Sequence, residues 1–169
     1  PDDRSVKPRL AERWEIAADG RSIRFHLRKD AKFSDGTPVT AESFVKAWSY
    51  GANAKNKQLQ SYFYYPIEGT DDVGNTVDNA DTISGLKVVD DKTFTIELAQ
   101  PEADFPSRLG YASYYPLHPS AYDDFDAYGE NPISNGPYKL QGTCKKGTGG
   151  TFVRNEHYDA KTDGVRKAL

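Results

Sequence analysis

An alternating strand, a two-residue turn and a capped helix follow one another within residues 22–51, and together they leave the chain few ways to fold. Ile23, Phe25 and Leu27 alternate with Ser22, Arg24 and His26, which predicts a half-buried strand with one apolar and one polar face. Asp35-Gly36 predicts a reversal, because glycine reaches positive φ without steric cost and an aspartate side chain can bond the backbone two residues on. Thr40 then offers its hydroxyl oxygen to the free amides of a helix starting at Ala41. Glu42 places negative charge in the first turn, and Phe44, Val45 and Trp48 recur at helical spacing. This helix is predicted to run to about Gly51.

The rest of the chain extends the same pattern. Asp19-Gly20 predicts a hairpin between strands at 13–16 and 22–27. Asp90-Asp91 separates Ile83, Leu86 and Val88 from Phe94, Ile96 and Leu98, predicting a second hairpin. Pro101, Pro106, Pro116 and Pro119 break up the stretch that follows, leaving room for short helices near 105–109 and over 120–128. Residues 138–140 and 151–154 are predicted as short strands joined by a loose glycine-rich connection at 145–150, and the second part of the acidic run 68–81 as an exposed loop. Hairpin-linked strands with helices inserted between them give an α/β (α+β mixed) fold, a largely antiparallel or mixed sheet with packed helices. A chain of 169 residues is of ordinary single-domain size and can bury a core.

Motifs for chemistry fail one by one. The glycine spacing at 142–147 starts like a phosphate loop, but Thr148-Gly149 stand where lysine and then serine or threonine are required. Residues 124–135 start like a calcium loop, with Tyr128 at the fifth position and Asn135 at the twelfth, neither of which supplies the needed carboxylate. His26, His118 and His157 are far apart and belong to no metal motif. Cys144 is the lone cysteine, so it has no internal disulfide partner. No G-x-S-x-G elbow is present. No cofactor, metal or catalytic residue is therefore assigned; an enzyme would require two of the three histidines to reach a carboxylate in a cleft. A net charge of −3, from 22 basic and 25 acidic side chains, gives no electrostatic argument for nucleic acid or for an anionic membrane.

Recognition remains. Eleven tyrosines exceed ordinary usage, and they cluster at Tyr62, Tyr64 and Tyr65 around Phe63, and at Tyr111, Tyr114 and Tyr115 around Ser113. Each cluster can pack a core beneath a proline-rich loop or line a cleft. A peptide held extended needs backbone partners and aromatic walls, with few sequence-specific contacts.

The segment at residues 25–44, FHLRKDAKFSDGTPVTAESF, resembles a signature of the family 5 solute-binding proteins of ABC importers, the oligopeptide- and dipeptide-binding class. Companion pieces stand in the family's order: PRLAERW at 8–14, DKTFTIEL at 91–98 followed by Pro101, YPLHP at 115–119 and NGPYKL at 135–140. The resemblance covers about residues 7–158. It implies a partial N-terminal lobe of a periplasmic-binding-protein-like type II fold, one domain over 1–169 with the second lobe absent. It further implies binding of a peptide or other small solute outside the cytoplasmic membrane, delivery to the transmembrane subunits of an ABC permease, a monomer, and a periplasmic location or a lipid anchor on the outer face. No signal-peptide h-region or run of eighteen apolar residues is present, so any export signal or anchor is expected upstream of Pro1. Tyr111, Ser113, Tyr114, Tyr115, Asn135 and Gly136 are the ligand-binding candidates that follow from it. Leu59 stands where some oligopeptide binders carry a ligand-touching aromatic, and Tyr158 lacks the tryptophan that usually follows. A nickel chelate, haem or an oligosaccharide as ligand, or a protein-interaction module, stay open as alternatives. The 25–44 segment itself consists of turn, cap and core residues with architectural jobs.

Overall fold

The computed structural model describes residues 5–145 and 147–158, and their contacts divide them into two units. Arg28 and the residues before it join Thr40–Pro116 in the first; Lys29–Val39 joins the residues from Leu117 onward in the second.

The first unit is built on a four-stranded antiparallel sheet of β1 (Ala11–Ile16), β2 (Ser22–Leu27), β3 (Leu86–Asp90) and β4 (Thr93–Glu97), in the order β1-β2-β4-β3. The hairpin between β1 and β2 turns at Asp19-Gly20 as predicted: Asp19 Oδ1 accepts from the Arg21 amide at 2.9 Å, and Gly20 takes φ +68°. The alternation in β2 is real, with Ile23, Phe25 and Leu27 all at or below 3% exposure. His26 lies on the polar face yet is only 18% exposed, with a Glu15 carboxylate oxygen of β1 3.3 Å from Nε2.

Aromatic pairing carries the core from sheet to helix. Phe25 pairs in register with Phe94, their rings 5.3 Å apart, and Phe94 in turn stacks on Phe44 at 5.4 Å and meets Trp48 edge-on at 5.8 Å. Phe44 and Trp48 belong to α1 (Ala41–Ala52), which lays its apolar face on the sheet. Thr40 caps α1 as the sequence predicts, and Ser43 completes a reciprocal box by accepting from the Thr40 amide at 3.2 Å. At the other end the helix passes Gly51, where a Cβ would lie 2.7 Å from the Tyr64 hydroxyl. Only glycine lets the Tyr64 ring approach so closely.

The second unit gathers around the Asp35-Gly36 turn. Asp35 accepts from the Thr37 amide at 2.9 Å and the Thr37 hydroxyl at 2.8 Å, and His118 Nε2 lies 3.2 Å from its Oδ2. Gly36 has φ +91°, with the His157 ring where a Cβ would otherwise sit. The 120–128 helix of the sequence reading is split in two: a 3-10 turn at Pro119–Tyr122 and then α3 (Phe125–Glu130), because Asp124 starts a new helix by accepting from the Ala127 amide. A short α2 (Phe105–Arg108) lies in the first unit. Strands β5 (Tyr138–Lys145) and β6 (Gly149–Arg154) form a two-stranded hairpin in the second unit, longer than the sequence suggests, since Gly149 pairs with Lys145 beyond an irregularity that follows Gln141.

Asp35 gives this unit a pH signature. Partial burial raises its pKa, but the two Thr37 bonds and the nearby His118 outweigh that, and its carboxyl is held below its ordinary value. A depressed carboxylate stabilises the fold above its unfolded pKa, near 4, and that contribution disappears as pH falls through the lower folded value. Asp35→Asn is therefore expected to be less stable than the parent at neutral pH and to converge with it toward pH 3. Circular dichroism melts across pH 3–7 check this; a constant gap at every pH would refute it.

Candidate functional site

Two tyrosine-bearing loops of the first unit are braced against each other. Tyr64, in the 3-10 turn Ser61–Tyr64, donates its hydroxyl to the Ser113 carbonyl at 2.5 Å. Tyr114, in the 3-10 turn Ala112–Tyr114, donates in return to the Phe63 carbonyl. Trp48 Nε1 donates to the Tyr114 carbonyl at 3.0 Å, tying the pair to α1. Tyr64 and Tyr114 are 4% and 2% exposed, and burial pushes both phenols well above their ordinary pKa. They remain protonated donors, which the braces require.

The two readings of the tyrosine clusters thus divide residue by residue. Tyr64 and Tyr114 are core; Tyr62, Tyr111 and Tyr115 are each more than half exposed. Between them Phe63 stacks on Tyr62 at 4.5 Å and lies 4.7 Å from Tyr111. This makes a three-ring platform drawn from both loops. Ser113 donates its hydroxyl to Gln60 Oε1 at 2.6 Å beside it, and Leu59 is 94% exposed in the same loop. Tyr65 lies apart from the stack, its hydroxyl accepting from Arg108 Nη2 at 3.0 Å, and Arg108 is ion-paired with Glu102.

Of the six predicted ligand contacts, Tyr111, Ser113, Tyr114 and Tyr115 fall together on this loop, with the Tyr114 ring turned into the core. Asn135 and Gly136 belong to the second unit. There the buried Asn155 holds the turn, its Nδ2 donating to the Gly136 carbonyl at 2.8 Å and its amide to the Pro137 carbonyl. Sequence reasoning missed the stack of Phe63 on Tyr111 and the clamp of Asn155. The first depends on a contact between distant loops. For the second the available signal was the asparagine that opens the terminal motif at 155–158.

The first unit also has a half-open pocket of about 500 Å³, lined by Leu10, Trp14, Phe25, Phe44 and Leu109 among others. Among the described residues, no histidine or carboxylate lines it. His26 reaches Glu15 and His118 reaches Asp35, so two histidines meet a carboxylate, but outside this pocket. His118 Nδ1 moreover accepts from the Ser120 amide as a helix cap, so its lone pair is committed to the backbone.

Residues 5–167 match the family model described as bacterial extracellular solute-binding proteins, family 5 Middle. The chain is 38% identical over 139 residues to the periplasmic oligopeptide-binding protein OppA of Salmonella typhimurium, a match covering 79% of this chain and 25% of that protein. Among solved structures it is similar to the substrate-binding domain of an oligopeptide ABC transporter from Bacillus anthracis, with a TM-score of 0.80 and 31% identity over 91% of this chain and 30% of the other. It is similar also to Listeria monocytogenes OppA bound to peptide, with a TM-score of 0.78 and 28% identity over 94% of this chain and 32% of the other. The chain therefore spans between a quarter and a third of the length of these relatives. These relatives are solute-binding transport proteins, and their mixed fold with antiparallel sheets is the one seen here. With residues 5–167 of its 169 matched by the family model, the chain belongs to the family 5 bacterial extracellular solute-binding proteins.

Proposed function

We propose that this chain is part of one lobe of the binding component of an ABC importer, and that it offers the Tyr62–Phe63–Tyr111 platform to an extended peptide outside the cytoplasmic membrane. The observation that carries this reading is the exposed three-ring stack, held by buried tyrosine braces that leave its outer faces free. Rigid rings present contact area at little cost in side-chain entropy, which suits a binder that must accept varied side chains. The relatives' names, oligopeptide-binding protein and OppA bound to peptide, support a peptide as the solute. On this reading the protein binds and releases its ligand without altering it, hands it to the permease subunits, works as a monomer, and is periplasmic or held by a lipid anchor on the outer face of the cell membrane. Asn135 and Gly136 are proposed as ligand contacts within the second unit, on their own account.

Chemical-shift titration of the 169-residue chain with short peptides tests this. Binding is expected to be weak, since half a cleft leaves the ligand wet, with shifts concentrated at residues 59–65 and 111–115. Tyr62→Ala and Tyr111→Ala should each weaken it about fivefold without lowering stability. Parallel titrations with an oligosaccharide, a nickel chelate and haem decide the ligand class. Peptide shifts that avoid both loops, or a stronger response to another solute, would sink the peptide reading.

A further inference from the structure

We propose that Asn135 is a self-modification site, at which the folded chain deamidates through a cyclic imide to aspartyl and isoaspartyl forms. The Gly136 amide nitrogen, its proton lost to hydroxide, attacks Asn135 Cγ. The N–Cγ bond forms, the Cγ–Nδ2 bond breaks, and Nδ2 takes up a proton from water and leaves as ammonia. A water molecule then opens the ring at Cγ, giving aspartate, or at the Asn135 main-chain carbonyl carbon, giving isoaspartate. No oxidant, metal or second protein enters. The reaction needs a carboxamide that can turn and a following amide not committed to a carbonyl, which is uncommon because folded chains pair nearly all their amides. Glycine in the following position adds access, since no Cβ shields its nitrogen.

Of the seven asparagines, Asn135 alone meets both conditions. Among the described residues neither its carboxamide nor the Gly136 amide has a hydrogen-bond partner. Both residues are half-buried, and a Cβ built on Gly136 would meet nothing within 4 Å. Elsewhere one reactant is withheld. The amides that follow Asn56, Asn75 and Asn79 donate to the Ala54, Ala52 and Val77 carbonyls. Asn53 and Asn155 are 5% and 1% exposed with their carboxamides bonded, and Pro132 after Asn131 has no N–H. Asp-Gly pairs form the same ring by loss of water, yet Gly20 donates to the Ala17 carbonyl at 2.9 Å and Gly36 to the Phe33 carbonyl at 3.0 Å.

The two products differ in what they do to the second unit. The Ser134 carbonyl accepts from the Ser34 amide at 2.7 Å, and the Gly136 carbonyl accepts from Asn155 Nδ2 at 2.8 Å. Isoaspartate lengthens the main chain by one carbon between these anchors, so one of them must yield. Aspartate keeps the chain length and adds only charge. On the reading that Asn135 touches ligand, the reaction places a carboxylate at that contact; the reaction itself is measured without ligand, so the two readings fail separately.

The experiment is incubation of the 169-residue chain at pH 8 and 37 °C, sampled by peptide mapping and by labelling with an isoaspartyl methyltransferase. Asn135 is expected to change first, at a rate that rises with pH and stays within about threefold of its rate in the urea-unfolded chain, because the fold offers it no local protection. Asn75, Asn79, Asp19 and Asp35 should change appreciably only in urea. Gly136→Ala, whose added Cβ has room, should slow the reaction about tenfold or more by shielding the nitrogen, and Asn135→Gln, which would need a larger ring, should stop it. Asn135→Asp should melt like the parent, and the isolated isoaspartyl form at a lower temperature. Faster change at another asparagine of the folded chain, an Asn135 that changes more than about tenfold slower folded than unfolded, or an unaltered rate in Gly136→Ala would overturn the proposal.

Discussion

Trp48→Ala is expected to lower the stability of the first unit by about 3–5 kcal/mol, the range for truncating a buried large aromatic. Trp48 is 1% exposed and packs against Phe44, Phe94 and Tyr114, so alanine leaves a void on the sheet-facing side of α1 that its neighbours cannot close without moving. The loss is a large fraction of a typical total of about 5–15 kcal/mol, and the variant should be substantially unfolded at 37 °C. Trp48→Phe isolates the second contribution. Phenylalanine keeps most of the ring volume but removes Nε1, leaving the Tyr114 carbonyl without its donor, which costs about 1–3 kcal/mol. Urea unfolding followed by circular dichroism measures both. A loss below about 1 kcal/mol for Trp48→Ala, far under the usual cost of such a truncation, would show that this core is not organised around that ring. Trp48→Phe should also broaden the Tyr111 and Phe63 resonances, because Tyr114 is the link from α1 to the platform.

What could be read in the sequence was local. The alternation of Ile23, Phe25 and Leu27, the Asp35-Gly36 reversal and the Thr40 cap each depend on neighbours a few residues away, and each formed as the pattern predicts. Two such features inside one stretch were harder to weigh. Residues 120–128 look helical throughout, but the Asp124 side chain competes for the backbone and restarts the helix. The pairing of β2 with β4 rather than with a sequence neighbour on that side is a matter of burial: Phe25 and Phe94 must face the same helix. The tyrosine clusters show the limit most clearly. Tyr62 and Tyr64 are two residues apart and of the same type, yet one is exposed and the other is buried with its hydroxyl on Ser113. Nothing local separates them. The partner that decides, the loop at residues 111–115, lies far along the chain.

Gly74→Ala is expected to be the most damaging substitution of a small residue, and it connects the loop at residues 71–76, exposed at 71–73 but buried at Gly74 and Thr76, to the platform. Gly74 has φ +77°, and a Cβ there would lie 1.9 Å from the Ser61 carbonyl oxygen and 2.9 Å from the Tyr62 Cα. Both obstacles are backbone, so no side-chain rotation relieves them. The loop is also fixed on its own side: Asp71 Oδ1 accepts from the Val73 and Asn75 amides, and the Ser61 hydroxyl donates to the Val73 carbonyl. Alanine must therefore either adopt a strained left-handed conformation and push the 61–62 segment outward, or break the Asp71 turn. Strained backbone of this kind costs about 1–3 kcal/mol, and displaced contacts add to it, so a total of about 2–4 kcal/mol is expected. The distinguishing feature is where the displacement goes. Tyr62 follows Ser61 directly and is the outer ring of the stack, so a molecule that still folds should lose the contact between Tyr62 and Phe63 while Tyr64 keeps its bond to Ser113. Nuclear Overhauser contacts between the rings of Tyr62 and Phe63, measured alongside thermal melts, test both parts. A variant that melts like the parent with the ring contacts intact would mean that the loop at residues 71–76 yields freely, and that the platform owes its geometry to the tyrosine braces alone.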